Sequence, residues 1–253
     1  ILADFLERNP DATDARFMLA RLLMADGDAD AAREQFEHAL ASRPEDPTIL
    51  FSLGQLAYQT GQPDVAEDYL KRYVALPSTV RRSNDPAYMF LGQLAEEQGK
   101  YQEAADWYAR VHAGEQRVPA LVRRAIALGK LGRVDEARAL LKEAPAGRSE
   151  DQVRLTLAES QVLRDAGRHE EAFDLLGTAL AERPDNPDLL YDQAMVSERL
   201  DRVDVLERNL RRIIAVQPDH AHAYNALGYT LADRNVRLEE AHSLIAKALE
   251  LSP

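Results

Sequence analysis

Apolar residues along this chain recur three and four positions apart, as in Leu50, Leu53, Gly54 and Ala57, or Ala32, Phe36, Ala39 and Leu40. That spacing gathers them on one face of a helix and predicts amphipathic α-helices rather than strands. The helices come in pairs. A glycine stands five residues before an alanine at Gly27/Ala32, Gly61/Ala66, Gly99/Ala104, Gly132/Ala137 and Gly167/Ala172. The alanine column continues with Leu206 and Ala241, giving steps of 34, 38, 33, 35, 34 and 35 residues. Glycine has no Cβ and so takes the left-handed conformation that ends a helix. Alanine suits the place where two helix backbones approach most closely, which a larger residue would push apart. Prolines in the same frame, among them Pro10, Pro44, Pro184, Pro218 and Pro253, close each unit because proline cannot extend a helix. The pattern predicts an all-α array of stacked helical hairpins.

Registered on these columns, the array occupies residues 13–253 as seven hairpins, 13–46, 47–84, 85–117, 118–152, 153–186, 187–220 and 221–253. Residues 1–12 read as the end of a preceding repeat. Four departures stand out. Residues near Pro77–Asn84 lengthen one loop, and Pro145 with Gly147 shortens the second helix of the fourth unit. The sixth unit has Asp201 for the glycine and Leu206 for the alanine, which predicts a splayed or register-shifted hairpin. The seventh carries an extra residue near Asn235–Arg237.

Two stretches carry a family likeness: Tyr88, Leu91 and Gly92 with Gly99, Tyr101, Ala104 and Tyr108, and Tyr224, Leu227 and Gly228 with Ala241 and Ala248. With the repeated frame around them, they make the chain resemble the tetratricopeptide repeat (TPR) family over nearly its whole length. The resemblance implies a right-handed α-solenoid whose first helices line a concave groove. It also implies that the fifth and ninth places of each repeat project into that groove. The fifth places are Phe17, Phe51, Met89, Val122, Leu157, Tyr191 and Asn225; the ninth are Arg21, Gln55, Gln93, Ile126, Gln161, Met195 and Tyr229. An apolar column thus runs beside one containing three glutamines. Amides donate and accept hydrogen bonds, which suits them to an extended peptide backbone. Phe17, Arg21, Phe51, Gln55, Met89, Gln93, Gln161, Tyr191, Asn225 and Tyr229 are therefore the expected protein- or peptide-binding residues. Chaperone-binding members of the family hold a peptide terminus with Lys and Asn one turn apart; Phe17/Arg21, Phe51/Gln55 and Met89/Gln93 do not supply that clamp. The asparagine ladder of the sugar-transferase members is missing as well.

Composition narrows the partners further. The chain has a net charge of −12 and 45% hydrophobic residues, as expected of a folded protein whose field repels a nucleic-acid backbone. No cysteine is present, so disulfides, thiol catalysis and cysteine-held zinc are excluded. No run of apolar residues is long enough to span a membrane. Residues Ala127–Gly132 contain a Gly-Lys pair but not the surrounding phosphate-loop residues, and His169-Glu170-Glu171 lacks a second histidine, Phe173 standing there. His220 and His222 are two apart and so point to different faces of a helix. No cofactor, metal or catalytic role is expected, and the chain reads as a non-enzymatic scaffold. Its last unit, from Asn225 through Ala241, resembles bacterial TPR lipoproteins that present substrates to a processing protease. That likeness implies an envelope adaptor on the periplasmic side, with a cytoplasmic location as the alternative. A self-associating component of a pilus, secretion or exopolysaccharide machine is the second reading, and a regulatory part of a larger enzyme the third. The first residue, Ile1, suggests an excised or processed segment.

Overall fold

The computed structural model describes residues 2–9, 11–77, 83–112, 114–144 and 147–252, which form fifteen helices and no strand. The chain divides into two compact units, Ile1–Ala120 and Leu121–Pro253. In the first, α1 (Leu2–Arg8) is followed by three antiparallel pairs: α2 (Thr13–Ala25) with α3 (Ala29–Ser42), α4 (Pro47–Gln59) with α5 (Pro63–Ala75), and α6 (Asp85–Glu97) with α7 (Tyr101–Tyr108). The chain leaves this unit within α8 (Arg117–Lys130). The second unit continues with α9 (Val134–Lys142) and α10 (Ser149–Asp165), the latter paired with α11 (His169–Glu182). Two more pairs follow: α12 (Pro187–Arg199) with α13 (Val203–Val216), and α14 (Ala221–Asp233) with α15 (Leu238–Leu251).

Local chemistry sets the helix ends. Asp46 accepts hydrogen bonds from the N–H groups of Thr48 and Ile49 ahead of Pro47, and Asn186 does the same for Leu189 ahead of Pro187. Such caps satisfy donors the helix cannot, and proline at the first position costs no hydrogen bond. At the turns, Gly61 and Gly99 sit at φ of 70° and 72°, and the next N–H folds back to a carbonyl five residues earlier, as Lys100 does to Ala95 (2.8 Å). The alanine column is fully buried at Ala32, Ala66, Ala104, Ala137 and Ala172. A glycine column on the first helices faces the same contact. A methyl at Gly92 would sit 2.4 Å from a ring carbon of Tyr108, and one at Gly54 2.8 Å from Leu70. Around these close approaches Phe36, Leu53, Leu70 and Leu91 are almost wholly excluded from water, each contributing roughly 1.5–3 kcal/mol.

The sixth hairpin is not splayed. Asp201 takes the left-handed conformation that glycine supplies elsewhere, at φ 55°, and Arg202 N–H donates to Ser197 O at 2.8 Å, the same closing bond. Leu206 is 1% exposed, in one cluster with Leu190, Ala194, Leu210 and Ile213. A buried hydrogen bond from Asn209 Nδ2 to Gln193 Oε1 (2.8 Å) ties α13 to α12 beside it. The extra residue of the last unit is absorbed by two left-handed positions, Asn235 and Arg237. α9 ends at Lys142; Pro145 lies outside the described residues, as do residues 78–82 of the lengthened loop.

Candidate protein-binding face

In the first unit the fifth and ninth places lie on α2, α4 and α6. Phe17 is half-buried, its ring 5.5 Å from Phe36 of α3. Arg21 is exposed and pairs with no carboxylate among the described residues. Phe51 is engaged in packing, with ring centroids 5.4 Å from Tyr73 and 5.9 Å from Phe90; Tyr58 lies 5.6 Å from that same Phe90. Gln93 is engaged as well. Its amide donates to the Tyr58 hydroxyl, which in turn donates to Glu97 Oε1 at 2.6 Å. Gln55 and Met89 are half-buried, and the Gln55 amide has no hydrogen-bond partner among the described residues. Tyr58, Phe90 and Glu97 therefore belong to this face although the fifth-and-ninth register does not name them. They stand at the twelfth, sixth and thirteenth places of their repeats.

In the second unit the face is formed by α8, α10, α12 and α14. Val122, Ile126, Leu157 and Met195 are half-buried, and Leu157 packs on the cluster around Leu163 and Leu176. Gln161 is half-buried with a free amide among the described residues. Tyr191 lies 5.9 Å from the His220 ring, and burial raises its phenol above the usual value. His220 does not reach for a metal: its Nδ1 accepts the Ala223 N–H at 3.1 Å and caps α14. Asn225 is exposed, and Tyr229 stands 60% exposed. The contact made by Tyr58 and Phe90 in the first unit is ionic here. Arg164 Nη2 and Asp192 Oδ1, at the same twelfth and sixth places, are 3.1 Å apart. Burial raises the Asp192 carboxyl above its ordinary value, opposed first by the Ser160 hydroxyl and then by the Arg164 guanidinium.

The second helices and hairpin turns are laced with ion pairs about one repeat apart: Arg168 to Asp135 (2.7 Å), Arg138 to Glu171 (2.9 Å), Arg202 to Glu170 (2.9 Å) and Arg234 to Asp201 (2.5 Å). Their carboxylates are largely exposed and screened by solvent, so these pairs add little to stability. Among the described residues no group of three or more His, Asp or Glu is placed to hold a metal, and no helix is long and apolar enough to cross a membrane.

Hairpins of this period, closed by glycine and packed through alanine, define a class of interaction scaffold built from helical repeats. The chain belongs to the tetratricopeptide repeat family, whose model matches residues 1–37, 17–86, 75–118, 122–187, 157–205 and 207–253. It is 41% identical over 169 residues to a TPR repeat-containing protein of Pseudomonas aeruginosa, covering 67% of this chain and 29% of that protein. It is 28% identical over 257 residues to cellulose synthase operon protein C of Xanthomonas axonopodis pv. citri, covering 92% of this chain and 17% of that protein. The chain thus spans less than a third of the length of either relative. Among solved structures, a TPR protein from Parabacteroides merdae superposes with a TM-score of 0.64 at 16% identity, covering 95% of this chain and 93% of that one. YrrB, described as a TPR protein with an unusual peptide-binding site, superposes with a TM-score of 0.51 at 16% identity, covering 89% and 96%. These likenesses establish an all-α TPR solenoid.

Proposed function

We propose that this chain is a non-enzymatic scaffold whose units hold an extended segment of a partner protein against their first-helix faces. One observation carries the reading: in each unit a glutamine amide, Gln55 in the first and Gln161 in the second, stands without a partner among the described residues beside half-buried apolar residues of that unit, and Tyr229 of the second unit projects into solvent. An extended chain brings the backbone donors and acceptors those amides need, and alternate side chains for the apolar column. A peptide-binding site on another TPR protein of the same fold agrees with this. Through the likeness of the last unit, the reading extends to an envelope adaptor that brings a substrate to a protease. Phe51 and Gln93 are poor test positions, since both also hold the fold together. The test is a triple Gln55→Ala, Gln161→Ala, Tyr229→Ala variant in crosslinking capture from lysate, with helicity measured in parallel. Partner recovery is expected to fall about tenfold or more at unchanged helicity, because aromatic anchors carry most of such energy. Recovery equal to the parent overturns the reading.

A second reading is favoured by the match to cellulose synthase operon protein C, which covers 92% of this chain. There the chain is an assembly part of a polysaccharide machine that associates with copies of itself. Light scattering across concentration separates the two: a constant monomer mass removes this second reading.

A further inference from the structure

The seam between α10 and α12 differs in kind from the one between α4 and α6. In the first unit Phe51, Tyr58 and Phe90 fill the seam with rings. In the second, α10 starts one turn early and runs 17 residues, against 13 for α4, α6, α12 and α14. That added turn is fixed from behind by Arg183 at the end of α11, which donates to Gln152 Oε1 (2.8 Å) and Ser149 Oγ (3.3 Å). Opposite it stands the capped start of α12 at Asn186. Between them is a cavity of about 310 Å³, at the small end of ligand sites and suited to a single large side chain.

Its lining has a definite chemistry. Val153 is buried and Leu157 half-buried, which provides apolar surface for an aliphatic stem. Glu150 and Asp188 supply two carboxylates, and Arg154 one guanidinium, leaving the cavity negative. Neither carboxylate has an ion-pair partner among the described residues. Their neighbours do: Asp151 with Arg148 (3.5 Å), Asp185 with Arg212 (2.5 Å) and Asp192 with Arg164 (3.1 Å). Unpaired acids over apolar surface match a side chain that is apolar along its stem and cationic at its head. The chain's net charge of −12 draws such a guest from a distance.

We propose that this cavity is a specificity pocket for one lysine or arginine side chain of the bound segment, with its stem on Val153 and Leu157 and its head between Glu150 and Asp188. The proposal rests on the reading that the first-helix face holds an extended polypeptide. Two probes keep the pocket and that reading apart. The first is a degenerate peptide library, with one position fixed in turn as each amino acid, captured on the full chain. Lysine or arginine is expected to be enriched about tenfold over alanine at one position, the effect of two partly screened charge contacts. A Glu150→Gln, Asp188→Asn variant, with helicity unchanged, is expected to capture peptides without that preference. The second is N-acetyl-arginine amide alone, titrated while the Val153 and Leu157 methyl resonances are followed. Methyl shifts in the parent but not in the variant support the pocket even if no library peptide is captured, an outcome that removes only the extended-segment reading. Capture without basic preference, capture favouring acidic residues through Arg154, a basic preference that survives the double substitution, or silence from both probes overturns the pocket.

Discussion

Gly92 lies where α6 crosses α7, and a Cβ built there meets three carbons of the Tyr108 ring at 2.4, 2.7 and 2.7 Å. Tyr108 is 1% exposed, and its hydroxyl donates to Glu96 Oε2, so the ring has nowhere to go without breaking a buried contact. Replacing Gly92 by alanine therefore sets two opposed effects against each other. Alanine is the better helix former by about 1 kcal/mol. Forcing a methyl into a filled core costs typically 1–3 kcal/mol, with clashes this short at the upper end. The net expectation for Gly92→Ala is a loss of about 1–2 kcal/mol. Gly177, within α11, is the control: a Cβ there meets only Gln193 Nε2, at 3.4 Å, an ordinary contact. Gly177→Ala is expected to gain about 0.5–1 kcal/mol, because the propensity acts unopposed.

Urea unfolding followed by circular dichroism reads both variants, with thermal midpoints as a check. For a chain of this size 1 kcal/mol moves the midpoint by roughly 2–4 °C, so the two substitutions are expected to shift it in opposite directions. Repeat arrays unfold by neighbouring units rather than all at once, so comparison against the parent is the reliable quantity. Equal stability of Gly92→Ala and the parent would refute the reasoning that backbone proximity selects glycine there. Destabilisation by Gly177→Ala would refute the propensity half.

Two further predictions follow from the irregular units. Glu207 accepts hydrogen bonds from Arg237 and Arg211, and the Arg237 contact first of all lowers its carboxyl from 4.5 to about 2. A depressed acid stabilises the fold above its unfolded value, and that stabilisation is lost as pH falls from about 4.5 toward 2; Glu207→Gln is expected to flatten the acid limb of a stability–pH curve, and an unchanged limb would remove Glu207 from it. Asp201 holds a left-handed turn and is 2.5 Å from Arg234. Asp201→Gly relieves strain while losing one exposed ion pair and is expected within about 0.5 kcal/mol of the parent, whereas Asp201→Ala loses the pair and keeps the strain, at a cost of about 1 kcal/mol more by denaturant titration.

The helices and their pairing are legible in the sequence because one local rule, glycine at the turn and alanine at the crossing, recurs at a near-constant interval. Reading fails where a side chain does the work of another type. Asp201 adopts the conformation glycine was expected to supply, and Leu206 is taken into the apolar cluster with Leu190, Ala194 and Leu210. The candidate face is less legible for a different reason. Position on a helix tells which residues lie on a stripe, but not which of them a neighbouring helix consumes. Phe51 and Gln93 share a register with Gln55, yet only Gln55 is left free, because Phe90 and Tyr58 come from other helices. The added turn of α10 escapes for the same cause: Ser149 and Gln152 look like loop residues until Arg183, one repeat away, holds them.

That distinction between spent and free polar groups bears on the kind of guest the proposed face selects. A glutamine amide in solvent is satisfied by water and costs nothing. Once covered it must be met by the guest, at a penalty of about 1–3 kcal/mol per unmet group. A helical guest has already closed its backbone donors and acceptors on itself and offers the amides only side chains. An extended guest carries an open N–H and C=O at every residue and can satisfy Gln55 or Gln161 whatever its sequence. On the proposed reading, therefore, the free glutamines discriminate by conformation and the apolar column by side-chain size, while the pocket under the added turn of α10 reads charge. Binding should accordingly weaken when a captured segment is stapled into a helix with its sequence unchanged. Equal affinity for the stapled and linear forms would show that the amides stay solvated in the complex, and the discrimination would have to arise elsewhere.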